Sequence, residues 1–74
     1  MHKHKIELVT FQDIREFVEI VTPLQGDIKL VDGRGFCVNA KSILGAAAST
    51  EWSELYCVSE NDIYGKIQRF CTAE

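Results

Sequence analysis

Ser42 is the residue of this chain best placed to do chemistry. It lies in Val38-Asn39-Ala40-Lys41-Ser42-Ile43-Leu44-Gly45, where a strand-like run gives way to a short run of small and apolar residues. A serine in that position can accept a hydrogen bond from a free N–H of the first helical turn and so cap the helix. The same hydroxyl sits at the positive end of a helix dipole, where an added phosphate is tolerated. Capping and phosphorylation are compatible as geometry, and both readings stay open. Other chemistry-bearing residues are sparse. His2 and His4 are the two histidines, and at the start of the first strand they read as solvated terminal side chains. Cys37, Cys57 and Cys71 are an odd number in no close pairing, which fits reduced thiols in a cytosol rather than a disulfide framework. Each cysteine falls in an apolar run and reads as a buried small hydrophobe. No Ser–His or Cys–His pair, metal-ligand spacing or facing pair of acids is legible. The expectation is therefore no catalytic residue, no metal and no cofactor.

The elements that must position Ser42 follow from periodicity. Residues 5–10 alternate, with Ile6 and Leu8 on one face, and predict a first strand. Thr10-Phe11-Gln12-Asp13 is a capping-box pattern that opens a helix. Phe11, Ile14, Phe17, Val18 and Val21 recur along it as one apolar stripe. Pro23 disfavours helical geometry at Thr22 and ends it. Residues 27–31 alternate again with Ile28 and Leu30 inward, Asp32-Gly33-Arg34-Gly35 is a turn, and residues 36–39 return as a strand. About two helical turns follow over residues 41–48, then a loop. Residues 54–59 make a fourth strand, with Leu55 and Cys57 on one face and Tyr56 and Val58 on the other. Asn61 or Ser59 should cap a last helix lined by Ile63, Ile67, Phe70 and Cys71. The order β-α-β-β-α-β-α predicts an α+β domain: a four-stranded antiparallel sheet with its helices on one face. The polar alternates Glu7, Lys29 and Asn39 should then face water.

With 74 residues, the chain reads as one domain spanning 1–74. A domain this small buries only about 60% of the surface its unfolded chain exposes. A net charge of −3 argues against broad binding to nucleic acid or anionic membrane, which need clustered positive charge. The basic start, Met1-His2-Lys3-His4-Lys5, is followed by an apolar run broken at Glu7, so it does not read as a signal peptide. No window approaches the roughly 20 apolar residues of a membrane span. The expected compartment is the cytoplasm.

The segment from Val38 to Gly45 closely resembles the regulatory-serine segment of the HPr phosphocarrier family, and more so its HPr-like Crh branch. Gly26-Asp27-Ile28-Lys29-Leu30 resembles that family's second strand. Glu60-Asn61-Asp62 is similar to the residues leading into its last helix. The resemblance covers nearly the whole chain as element order and is specific from about Gly26 to Ala48. It implies an HPr-like fold and a protein of the bacterial phosphotransferase system. It also implies phosphorylation of Ser42 by a serine kinase, a transcriptional regulator as partner, and a docking patch at Ile43, Leu44 and Ala47. Spacing alone leaves Ile43 open between docking and core, and reads Leu44 as core.

The family's other signature is a histidine in a His-x-Arg-Pro context at the first helix, which accepts phosphate from phospho-Enzyme I. The corresponding region here is Val9-Thr10-Phe11-Gln12-Asp13-Ile14-Arg15, with no histidine and no Arg-Pro. Thr10, Gln12 and Arg15 mark what remains of a phosphate loop. Gln12 is similar to the glutamine that stands for the histidine in the Crh branch. Asp13 places negative charge in the first turn, where it would repel a phosphoryl group. The expectation is a protein acting by protein–protein contact, without phosphate relay.

Two rival readings remain. One is a working carrier with an atypical acceptor, such as a displaced His4. The other is an RNA-binding domain: Arg34-Gly35-Phe36 begins like the RNA-recognition-motif signature. Val38 takes the aromatic position of that signature, however, and the strand Ile6-Glu7-Leu8-Val9 lacks a stacking aromatic. Trp52, in a loop between Glu51 and Glu54, is either a partner anchor or folded back on the domain.

Overall fold

A computed structural model describes residues 1–72. Its strands are β1 (His2–Lys5), β2 (Ile28–Val31), β3 (Cys37–Asn39) and β4 (Tyr56–Ser59), and its helices are α1 (Phe11–Val21), α2 (Ile43–Ser49) and α3 (Tyr64–Ile67). A single 3-10 turn, Gln68–Phe70, extends α3. The strands form one sheet in the order β1-β4-β2-β3, with every neighbouring pair antiparallel. This is the α+β architecture expected from the HPr-like element order.

The register fixes what each face carries, because directly opposed residues share a face. His4, Cys57, Leu30 and Val38 form one inward row, and His2, Ser59 and Ile28 another. Outward, one row runs Lys5–Tyr56–Val31–Cys37 and the next Lys3–Val58–Lys29–Asn39. The helices cover the inward face. Ile14, Phe17 and Val21 of α1, Ala46 of α2 and Ile67 of α3 pack there with Ile28, Leu30 and Cys57. Phe17 and Phe70 meet edge to face, with ring centres 5.5 Å apart, a favoured aromatic geometry. Of the residues expected on inward or apolar faces, Ile6, Leu8, Ile14, Phe17, Ile28, Leu30, Leu55, Ile63, Ile67 and Phe70 are buried, while Val18 and Cys71 are half-buried. Val21, Ala40, Ala46, Cys57, Ser49 and Ser59 are buried as well.

Local chemistry moves several boundaries. The first strand occupies His2–Lys5 rather than 5–10, and Ile6 continues it only as a bridge to Cys71. The chain leaves the sheet there because its next donors go elsewhere: Glu7 N–H to the Phe70 carbonyl, and Val9 and Thr10 N–H to the Asp13 carboxylate. β3 starts at Cys37 because Asp32 Oδ1 takes the Arg34 and Phe36 N–H groups and closes the turn. Gly35 in that turn has φ +99°, a region open to glycine.

Phe11, expected in the apolar stripe of α1, is exposed at the helix's first position. The expected caps of the last helix are also corrected. Asp62 Oδ1 accepts from Tyr64 N–H, while Ser59 Oγ donates to the Asn61 carbonyl. Asn61 Nδ2 reaches back to the Gln25 carbonyl, and Glu60 Oε1 accepts from Asp27 N–H. Two of the resembling segments, Gly26-Asp27 and Glu60-Asn61, are thus tied to each other.

Candidate functional site

Ser42 is the N-cap of α2. Its backbone is extended, and its Oγ accepts from Gly45 N–H at 3.3 Å. Three contacts hold the approach to it. Asn39 Oδ1 accepts from Lys41 N–H, the Asn39 carbonyl accepts from Ser42 N–H, and Lys41 Nζ donates to the Leu24 carbonyl just past the end of α1. Gly45 lets α2 lie close on β3, since a Cβ there would stand 3.2 Å from Val38 Cβ and 3.3 Å from the Asn39 carbonyl. The inward face of α2 is correspondingly small: Ala46 and Ser49 are buried, and Ser49 Oγ donates to the Ala46 carbonyl.

Ser42 is exposed, within reach of a modifying enzyme. Beside it, Ile43 is 40% and Leu44 82% exposed. The core reading of Leu44 is therefore overturned. At about 100° per residue, Leu44 stands roughly opposite Ala46 on the helix, and Ala46 is the residue that faces in. Ala47 is half-buried and packs against the core. The outer surface of the first turn is thus an apolar pair next to a solvent-exposed hydroxyl.

In the segment expected as a phosphate-loop remnant, residues 9–15, the chain's own side chains take the free donors. Thr10 Oγ1 accepts from Asp13 N–H at 3.1 Å, and Asp13 Oδ2 accepts from Val9 N–H at 3.0 Å and Thr10 N–H at 3.1 Å. A carboxylate of the chain thus fills the place where these N–H groups would meet a phosphate. The Thr10 and Val9 N–H donors hold the Asp13 carboxyl below the ordinary carboxylate range. Gln12 is exposed, and Arg15 points along the helix to Glu19, 3.7 Å away. The loop and Ser42 also lie at opposite ends of α1. Lys41 bonds the Leu24 carbonyl, three residues past the C-terminal end of that helix, whose 11 residues span about 16 Å.

The histidine reading is corrected too. His4 is half-buried on the inward face, its ring centre 5.0 Å from that of Tyr64 and its Nε2 enclosed without a partner. Parity with Ile6 and Leu8 was the available signal, since side chains alternate along a strand. Cys57 is buried and Cys71 half-buried, but Cys37 is exposed, at the end of the outward row on edge strand β3. Burial first, then the neighbouring Cys71, pushes the Cys57 thiol up to about 12. Trp52 is folded back, half-buried against the core and stacked with Phe36 at 6.3 Å. The two strands that would form an RNA-reading platform, β1 and β3, lie at opposite edges of the sheet. Among the described residues no cluster of three or more His, Cys, Asp or Glu could hold a metal, and no helix is long and apolar enough to cross a membrane. Comparison with protein-family models, with curated proteins and with solved structures finds no match to this chain.

Proposed function

We propose that this chain is an HPr-like cytosolic interaction domain that does not relay phosphate and is regulated at Ser42. The observation that carries the reading is the exposed pair Ile43 and Leu44 on the first turn of α2, next to the exposed hydroxyl of Ser42. A partner gains apolar area from Ile43 and Leu44. After phosphorylation it also gains an anion that an arginine can grip with two hydrogen bonds. The helix beneath does not have to refold, because a phosphate at its N-terminus meets free donors and a favourable dipole. The Asp13 carboxylate on the Val9 and Thr10 N–H groups supports the absence of phosphate relay, since it occupies those donors and places a negative charge that repels a phosphoryl group in the first helical turn.

The test is incubation with HPr kinase and ATP, followed by peptide mapping. A single acid-stable phosphate on Ser42, lost in Ser42→Ala, is expected. A protein that stays unmodified, or is modified on another serine, leaves Ser42 as a helix cap only.

A further inference from the structure

We infer that the uncovered face of the sheet is a second docking surface, built for an acidic amphipathic helix of a partner protein. The net charge of −3 conceals this surface. Lys3, Lys5 and Lys29 stand on the outward strand positions, and no Asp or Glu does. Between the lysines runs an apolar floor. Val31, Cys37 and Val58, with Met1 at one end, line a shallow groove of about 320 Å³. Asp27 and Glu60 stand at that same end, in the row beyond His2, Ser59 and Ile28, and the Glu60 carboxylate already accepts from Asp27 N–H.

The pattern selects the occupant. A helix laid on an open sheet face buries one apolar stripe, here over Val31 and Val58. Carboxylates flanking that stripe reach Lys3 on one side of Val58 and Lys29 on the other, since these three residues lie in one cross-strand row. A second copy related by a two-fold axis would set lysine rows against lysine rows, a like-charge arrangement that costs affinity. Single-stranded nucleic acid would need a run of free aromatic faces. Tyr56 is the sole aromatic on the two rows. Its ring lies under Lys3 Nζ at 4.5 Å and its hydroxyl is bonded to Glu54.

This surface is independent of Ser42, and the experiment separates the two. The full chain, labelled with ¹⁵N, is titrated with a synthetic helix of leucines at helical spacing and glutamates elsewhere. The same helix with every glutamate replaced by glutamine, and a short oligothymidylate, are titrated in parallel. Amides of Lys3, Lys29, Tyr56 and Val58 should shift with the acidic helix, and the affinity should fall as salt rises. Lys29→Glu and Lys3→Glu should each weaken binding by about tenfold or more, the size expected for losing an interfacial charge pair. Leu44→Glu should leave binding unchanged. The inference is overturned if those amides stay still, if the glutamine helix binds as tightly, if the oligonucleotide binds more tightly, or if the shifts map to Ser42–Leu44. Should either lysine variant lose the dispersion of a folded spectrum, the salt dependence and the glutamine comparison on the natural chain still decide.

Discussion

Asp13 bonds the Val9 and Thr10 N–H groups at the entry to α1, and those bonds make the state of this segment testable. Thr10 and Asp13 form a reciprocal capping box, so Thr10→Ala removes the acceptor for Asp13 N–H. The expected loss is about 0.5–2 kcal/mol. For a domain of this size, each kcal/mol lowers the melting temperature by about 4–8 °C, which calorimetry reads directly. The carboxyl supplies a second, pH-dependent signature. Its folded pKa is held below the ordinary 3.8, so its contribution is complete above that value and is lost as pH falls through the folded value. Denaturant midpoints measured from neutral to acid pH should therefore drop more steeply for the natural chain than for Asp13→Asn. Parallel curves would mean that the carboxylate is not bonded as described. The thiols give a third check: a maleimide should label exposed Cys37 quickly and leave Cys57 untouched until denaturant is added.

The capping box was legible from four residues because it depends only on local spacing. The inward place of His4 was legible only through its parity with Ile6 and Leu8, because the start of β1 is set by partners distant in sequence. Nothing near His4 announces that Cys57 lies opposite it.

At the scale of elements, α2 decides the functional reading. Its seven residues are too few to form a helix in isolation; they hold because Lys41, Asn39 and Gly45 fasten them to α1 and β3. Leu44→Glu should therefore leave stability within about 0.5 kcal/mol, as surface substitutions usually do. Leu30→Ala in the sheet should cost about 2–5 kcal/mol. Equal losses at the two positions, measured by chemical denaturation, would show that Leu44 is part of the core. Ser42→Asp should keep the fold with its melting temperature shifted by no more than a few degrees. Strong periodicity made α1 and the inward residues of β2 and β4 readable in advance. The apolar character of α2 was readable too, but not its direction: alanine-rich turns carry no stripe, and only packing against Val38 shows which side faces in.

For the whole molecule, the net charge hides a local arrangement: Glu19 and Glu16 of α1 are paired with Arg15 and Arg69, and Asp27 and Glu60 stand at one end of the sheet-face groove. Three lysines gather on the open sheet face, while α1 and its flank carry Asp13, Glu16 and Glu19. Composition reports only the sum, so the arrangement emerges with the strand register and not before. The same register separates the strands an RNA-recognition motif would need side by side. What remains is a small α+β domain whose proposed contacts lie on Ile43 and Leu44 of α2 and on the open sheet face. The central claim, contact without phosphate relay, is tested most directly by mixing the purified chain with Enzyme I and phosphoenolpyruvate and assaying acid-labile phosphate. None is expected, because the Asp13 carboxylate takes the Val9 and Thr10 N–H groups just before α1 and sets a negative charge in its first turn, and His4 Nε2 is enclosed. A stoichiometric phosphate on His4, or on any residue of the Val9–Arg15 segment, would contradict it.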